Sequence, residues 1–126
     1  MTEKPREYSP LPHDHGGNIA RVLSAMPGVE AFSKAAEAFL LVSDTTRLRI
    51  LWLVSHSEQC VQNIAAAIEM SPPAVSHHLK ILKSAGLIVN KRIGKEIHYS
   101  LADTVEAELL HRIVDEMLAI KCPKAK

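Results

Sequence analysis

The chain has 126 residues, a length that supports one domain, and its 47% hydrophobic content allows a packed core although only 4% of residues are aromatic. The net charge is only +1, so any binding to a polyanion must rest on charge that is segregated along the chain. Two cysteines are too few for a disulfide framework, and there is no signal peptide or run of about eighteen apolar residues, so we expect a cytoplasmic protein without a membrane span.

The first seventeen residues are predicted to form a flexible arm, because proline and glycine interrupt them repeatedly and polar residues fill the gaps. The folded domain is expected over residues 18–121, followed by a short tail at 122–126. Its first helix starts near Asn18 and ends at the Met-Pro-Gly run from Met26. A second helix is predicted from Val29 to Val42.

The middle of the chain predicts a third helix, capped by Ser43 or Asp44, and then two short helices. The first of these spans roughly residues 61–69. The second begins at Ser71, a good N-cap, with two prolines in its first turn, and ends at Gly86. The three-residue turn between them is typical of a helix-turn-helix.

After Gly86 the periodicity changes from helix to strand. Leu87–Asn90 and Ile97–Leu101 read as two strands, joined by the glycine-containing loop at residues 91–95. A last helix is predicted over about residues 103–120. The fold class is therefore mainly α with a small β-hairpin: a winged helix-turn-helix of five to six helices. The last helix has an apolar face wide enough to pack against a second copy of the chain, which predicts a homodimer.

Basic residues are concentrated in the helix-turn-helix and hairpin, since five lysines and arginines and no acid lie between Met70 and Lys95. In such modules the start of the second helix enters the major groove of DNA. We therefore predict that this chain binds double-stranded operator DNA, with Arg92 and Lys95 at the hairpin tip against the backbone or minor groove. The residues predicted to face DNA on the helix are Ser71, Pro73, Ser76, His77 and Lys80. His78 is expected to pack inward or to form a local hydrogen bond.

Borderline metal ligands are few: the chain has two cysteines and seven histidines. His13 and His15 lie close together in the arm, and Cys60 lies just before the helix-turn-helix. If the arm folds back, two imidazoles and one thiolate would suit Zn²⁺, and also Cd²⁺ or Co²⁺.

The sequence resembles the ArsR/SmtB family of metal-sensing repressors over roughly residues 29–120. The resemblance rests on the runs DTTRLRIL from Asp44, QCV from Gln59, SPPAVSHHLKIL from Ser71, GLIV from Gly86 and GKEIHYSL from Gly94. It implies a homodimer that binds an inverted-repeat operator and loses affinity when a metal binds. Cys60 matches the family's cysteine before the helix-turn-helix, and His15 matches the arm histidine of its SmtB-like zinc sensors.

The chain departs from the family at both of its recurring metal sites. The arm cysteine is missing, and Gln62 stands where cadmium and lead sensors have a second cysteine. On the last helix Asp103 matches, but Val105 replaces a histidine, so we do not expect that site in its usual form. Glu108, His111 and Asp115 share a helical face and form either a variant metal site or a solvated, salt-bridged surface.

Three other functions remain as alternatives. A repressor of the same fold could sense persulfide or oxidants through Cys60 and Cys122, although Trp52 occupies the position of the first cysteine in such relatives. An enzyme with a Cys60 nucleophile lacks any evident oxyanion hole or phosphate-binding loop. A winged helix used for protein contacts alone is disfavoured by the basic stretch.

Overall fold

The computed structural model describes residues 11–13 and 15–119, and these contain six helices and three strands. The helices are α1 (Ile19–Ala25), α2 (Val29–Leu41), α3 (Thr45–His56), α4 (Val61–Ile68), α5 (Pro72–Ser84) and α6 (Val105–Met117). The strands are β1 (Gln59–Cys60), β2 (Ile88–Ile93) and β3 (Glu96–Leu101). The predicted fold class, a winged helix-turn-helix, is confirmed.

Side-chain caps determine where helices α3, α5 and α6 begin. Asp44 accepts a hydrogen bond from the backbone N–H of Arg47 at 2.9 Å and so starts α3. Ser71 caps α5 through the N–H of Ala74 at 3.3 Å. Thr104 caps α6 in the same way, two residues later than the helix start predicted from the sequence.

The sheet is antiparallel with the order β1–β3–β2. Ile93 pairs with Glu96, so the hairpin loop is only Gly94-Lys95. Gly94 has φ +62°, the positive value that the first position of a type II′ turn requires. The predicted five-residue loop at 91–95 is wrong, because residues 91–93 continue the ladder of β2. The two-residue strand β1 was not predicted.

One hydrophobic core joins α3, α4, α5, α6 and the hairpin. Its side chains are aliphatic, as the low aromatic content requires. The most fully buried large side chains are Ile50, Leu51, Ile64, Leu79, Leu82, Ile88 and Val75. Because α4 and α5 both pack into this core, their relative orientation, and with it the helix-turn-helix, is fixed by burial of apolar surface.

The chain divides into two compact units, residues 1–35 and residues 36–126. In the described part of the first unit, α1 and the beginning of α2 have no buried residue. The second unit holds the end of α2 and all later elements. The predicted boundaries at residues 17 and 121 stay a prediction. Among the described helices, each is too short or too polar to cross a membrane.

Candidate functional site

Helix α5 separates its buried and exposed side chains along the helical repeat. Val75, Leu79 and Leu82 point into the core. The opposite face, with the N-cap before it, is exposed and carries the five helix positions among the seven predicted to contact DNA: Ser71, Pro73, Ser76, His77 and Lys80. Hydroxyl, imidazole and ammonium groups therefore line one open face, which supplies hydrogen-bond donors and positive charge for bases and phosphates.

The turn before α5 is tight. Glu69 adopts a left-handed conformation with φ 59°, and its N–H caps α4 on the carbonyls of Ala65 and Ala66. This conformation ends α4 within one residue and lets Ser71 start α5 two residues later. The three-residue turn predicted from the sequence is confirmed.

A polar anchor holds α5 against α3. Arg47 donates from Nε to the carbonyl of Leu41 at 2.7 Å, and its Nη1 lies 3.4 Å from Nδ1 of His78. His78 packs inward, as expected, and lies on the side of α5 away from the exposed face. The backbone N–H of Arg47 also lowers the pKa of Asp44 below its ordinary value by hydrogen bonding to the carboxylate.

The hairpin presents its two predicted cations differently. Lys95 is exposed in the two-residue loop, whereas Arg92 is exposed within β2, two residues before the loop and not at the tip. Lys91 forms an ion pair with Glu58, with 3.3 Å between Nζ and Oε2. Lys95 and Arg92 are therefore the hairpin cations that the described structure leaves open toward a phosphate backbone.

Cys60 ends β1 and precedes the first residue of α4. Its side chain is buried, with 6% of the residue exposed, and it is a free thiol within the described part of the chain. An open groove of about 660 Å³ lies beside it, with Pro73, Ser76 and Lys95 on its walls. The groove therefore connects the cysteine to the face of α5 and to the hairpin loop.

The other predicted zinc ligands belong to the first unit. His13 and His15 are exposed and their rings stack, with centroids 5.8 Å apart. Their combination with Cys60 stays a prediction. Cys122, the second cysteine of the alternative thiol sensor, lies outside the described residues.

A cluster of metal-ligand side chains lies elsewhere, between α3 and α6. It contains His56, His111 and Asp115, whose candidate ligand atoms all lie within 4.8 Å of one another. The expected salt bridge on this face is present, with 3.5 Å between Nε2 of His111 and Oδ2 of Asp115, but the expected solvation is wrong, because His56 packs onto both side chains and Asp115 is buried. Glu108 is exposed and is not part of the cluster.

Comparison with known proteins agrees with this architecture. The family model described as "Bacterial regulatory protein, arsR family" matches residues 44–89, from the cap of α3 into β2. A transcriptional repressor SmtB homologue from Synechocystis is 35% identical over 91% of this chain and 86% of its own length. A cadmium resistance transcriptional regulatory protein CadC homologue from Staphylococcus aureus is 39% identical over 61% of this chain and 69% of its own.

A solved structure shares the fold. The homodimeric winged helix-turn-helix DNA-binding domain from Mycobacterium bovis, determined by NMR, has a TM-score of 0.62 and 26% sequence identity. The match covers 80% of this chain and 99% of that one.

Proposed function

This chain belongs to the ArsR/SmtB family of DNA-binding transcriptional regulators, which are not enzymes, and we propose that it is a metal-responsive repressor. It binds operator DNA as a homodimer in the cytoplasm and is released when a divalent metal ion such as zinc binds. The observation that carries the DNA-binding role is the exposed face of α5 beside the exposed cations of the hairpin.

The DNA contacts divide by chemistry. Ser76 and His77 lie in the first half of α5, the part that enters the major groove in helix-turn-helix proteins, and offer hydrogen bonds to base edges. Lys80, Arg92 and Lys95 supply the phosphate contacts, which make affinity fall as salt rises.

Homodimerisation is supported by α6. Four side chains along one stripe of this helix are apolar and exposed within the protomer: Val105, Leu109, Ile113 and Met117. The side chains beside them, such as Leu110 and Val114, fill the core. A second copy covering the stripe would remove this apolar surface from water and would present two α5 helices to one inverted repeat.

A metal effector is supported by the relative named for cadmium resistance. We propose Zn²⁺, with Cd²⁺ or Co²⁺ as substitutes, and His13, His15 and Cys60 as ligands. The groove from Cys60 to Ser76 and Lys95 offers a route by which coordination could alter DNA binding. A coupling free energy of about 1–3 kcal/mol would lower operator affinity roughly five- to 150-fold.

The test begins with a DNA duplex selected from a random-sequence pool by the purified protein. Fluorescence anisotropy then measures its affinity without metal and with Zn²⁺, Cd²⁺ or Co²⁺, and EDTA must reverse the effect. Failure to select any duplex at low salt would refute DNA binding, and unchanged affinity with every metal would refute the metal response. If both Cys60→Ser and deletion of residues 1–17 leave zinc affinity and release unchanged, the predicted ligands are wrong.

A further inference from the structure

The His56–His111–Asp115 cluster joins two helices that are far apart in sequence. His56 is the last residue of α3, and His111 and Asp115 are one turn apart on α6. Oδ2 of Asp115 lies 3.3 Å from Nε2 of His56 and 3.5 Å from Nε2 of His111. The two imidazoles therefore converge on the same carboxylate oxygen of Asp115.

The hydrogen bonding of His56 determines which of its two ring nitrogens carries a hydrogen and which one turns a free lone pair toward Oδ2 of Asp115. Nδ1 lies 2.7 Å from the carbonyl oxygen of Trp52, which can only accept, so Nδ1 carries the hydrogen. In neutral His56, Nε2 is then an acceptor pointing at Oδ2 of Asp115, also an acceptor. Two facing lone pairs require a cation between them, either a proton or a metal ion.

Burial of the three side chains increases the need for a cation between them. The side chains of His56, His111 and Asp115 are 5%, 12% and 12% exposed, so bulk water solvates them poorly. The second carboxylate oxygen of Asp115, Oδ1, is buried and has no hydrogen-bond partner among the described residues. A buried carboxylate with an unpartnered oxygen is typical of a site that holds an ion or an ordered water.

The separations fit a transition metal better than a direct ion pair. Charge-assisted N–H···O bonds are usually about 2.7–2.9 Å long, shorter than both contacts here. Donor atoms around a tetrahedral Zn²⁺, each about 2.0–2.2 Å from the ion, lie roughly 3.3 Å apart. The Nδ1 hydrogen bond of His56 to a backbone carbonyl is also the usual support for a metal-bound imidazole.

We propose that His56, His111 and Asp115 form a binding site for a divalent transition metal ion within each protomer. Two imidazole nitrogens and one carboxylate oxygen suit Zn²⁺, Co²⁺ or Ni²⁺, with a fourth position for water. The site is separate from the predicted His13–His15–Cys60 ligands.

A metal ion at this site would affect both proposed binding surfaces, the DNA-contact face of α5 and the apolar stripe of α6. Helix α3 packs against α5, the helix with the exposed DNA-contact face, and α6 carries the exposed apolar stripe. Because its ligands come from α3 and α6, the ion would hold these two helices together. It would so couple the geometry of the dimer to that of the DNA-binding helices. This regulatory role rests on the proposed function, whereas the binding of the metal itself does not.

The chain provides its own reporter for this site. Trp52 is the single tryptophan, and its ring centroid lies 4.4 Å from that of His56. The experiment is a titration of metal-free, full-length protein with Co²⁺, followed by competition with Zn²⁺. Two signals are read together: quenching of Trp52 fluorescence and the visible absorption of the bound Co²⁺.

The variants are Asp115→Asn and His111→Gln, and the matched controls are Glu108→Gln and Cys60→Ser. Glu108→Gln makes the same type of change as Asp115→Asn at an exposed position of the same helix. We expect the first two variants to lose at least about tenfold in Co²⁺ affinity and the controls to keep the Trp52 response. Circular dichroism and thermal unfolding show whether each variant folds, and His111→Gln serves if Asp115→Asn does not.

The proposal is overturned if the wild type gives no Trp52 response with Co²⁺ or Zn²⁺ at neutral pH, or if Cys60→Ser removes that response. It is also overturned if folded Asp115→Asn or His111→Gln keeps the Co²⁺ affinity that the Trp52 signal reports for the wild type. Operator binding is measured on the same samples. If the metal binds through this cluster but releases no DNA, the proposed metal response fails while the site stands.

Discussion

Cys60 and His98 stand opposite each other in the antiparallel ladder between β1 and β3. On the other side of β3, His98 is opposite Lys91 of β2. Cys60 is therefore paired directly with the hairpin, one strand away from the strand β2 that carries Arg92, and it also precedes the first turn of α4. A change at Cys60 is therefore expected to affect the hairpin and, through the groove that Cys60 lines together with Pro73 and Ser76, the proposed DNA-contact face of α5.

Alkylation of Cys60 tests this connection. In a Cys122→Ser background, we expect N-ethylmaleimide to react slowly because the thiol is buried, and the modified protein to bind operator DNA more weakly. Added bulk at a packed position forces backbone shifts. Mass spectrometry measures the modification and anisotropy the affinity, with the double variant lacking both thiols as control. Equal affinity before and after complete modification would contradict the coupling.

Removing one cation from α5 should weaken DNA binding by the contribution of the phosphate contact that this cation makes. Lys80→Ala is expected to lower operator affinity and to reduce the slope of log affinity against log salt by about one. His77→Ala should instead relax sequence preference at one or two base pairs. Arg112→Ala removes an equal charge from α6 and serves as control. A Lys80→Ala protein with the salt slope of the control would exclude a phosphate contact at this position.

Gly94→Ala should destabilise the hairpin through the backbone alone. An added Cβ would meet no atom within 4 Å, but φ is +62°, where an L-residue costs about 1–2 kcal/mol. We expect a lower midpoint of urea unfolding and weaker DNA binding, because the loop positions Lys95. Gly17→Ala, with a negative φ and equally open space, should change neither. An unchanged midpoint for Gly94→Ala would mean that the turn relaxes without cost.

Ile113→Asp should separate the dimer without unfolding the protomer. The side chain is 38% exposed in the protomer, so a carboxylate there remains solvated, but in the proposed interface it would be buried without a partner. Analytical ultracentrifugation should show a folded monomer with weak operator affinity. Val89→Asp introduces the same charge at an exposed apolar position of β2 and should stay dimeric. A dimeric Ile113→Asp protein would place the interface elsewhere.

Asp44→Ala should destabilise the protein most above the ordinary carboxyl pKa. Folding lowers the pKa of Asp44 below 3.8, chiefly through the N–H of Arg47, so the charged cap favours the folded state at neutral pH. This contribution is lost as the pH falls through the lowered pKa. Thermal melts should show a deficit at pH 7 that shrinks below about pH 3.8. Asp103→Ala, which removes an exposed carboxylate that caps no helix, should show no such pattern.

The helix-turn-helix was predictable because its signals are local. Ser71 and the two prolines after it begin α5, the spacing of Val75, Leu79 and Leu82 identifies the buried face, and Gly86 follows the end. Each feature acts within one or two turns of the chain, so neighbouring residues are sufficient to reveal it. The sequence pattern on α6 likewise predicted an apolar surface beyond what one core can bury.

The features that sequence reasoning missed depend on partners far along the chain. Strand β1 has two residues and exists because β3 offers it a ladder some forty residues later. Residues 91–93 are too polar to read as strand, and cross-strand hydrogen bonds decide their conformation. His56 contacts Asp115 across 59 positions, a relationship that no helical periodicity could indicate. The local signal was the spacing of four between His111 and Asp115, which places both on one face of α6 but does not point to His56.

The two prolines at the start of α5 have a consequence for how the protein meets DNA. Each fixes φ near the helical value, so the leading turn of the helix has few alternative conformations to lose, folded or unfolded. The segment that is proposed to enter the groove first is thus rigid before the encounter, and association does not have to order it. Discrimination between operators then depends on side chains that adjust on a rigid backbone. The entropy cost of ordering that backbone arises during folding and not during DNA binding.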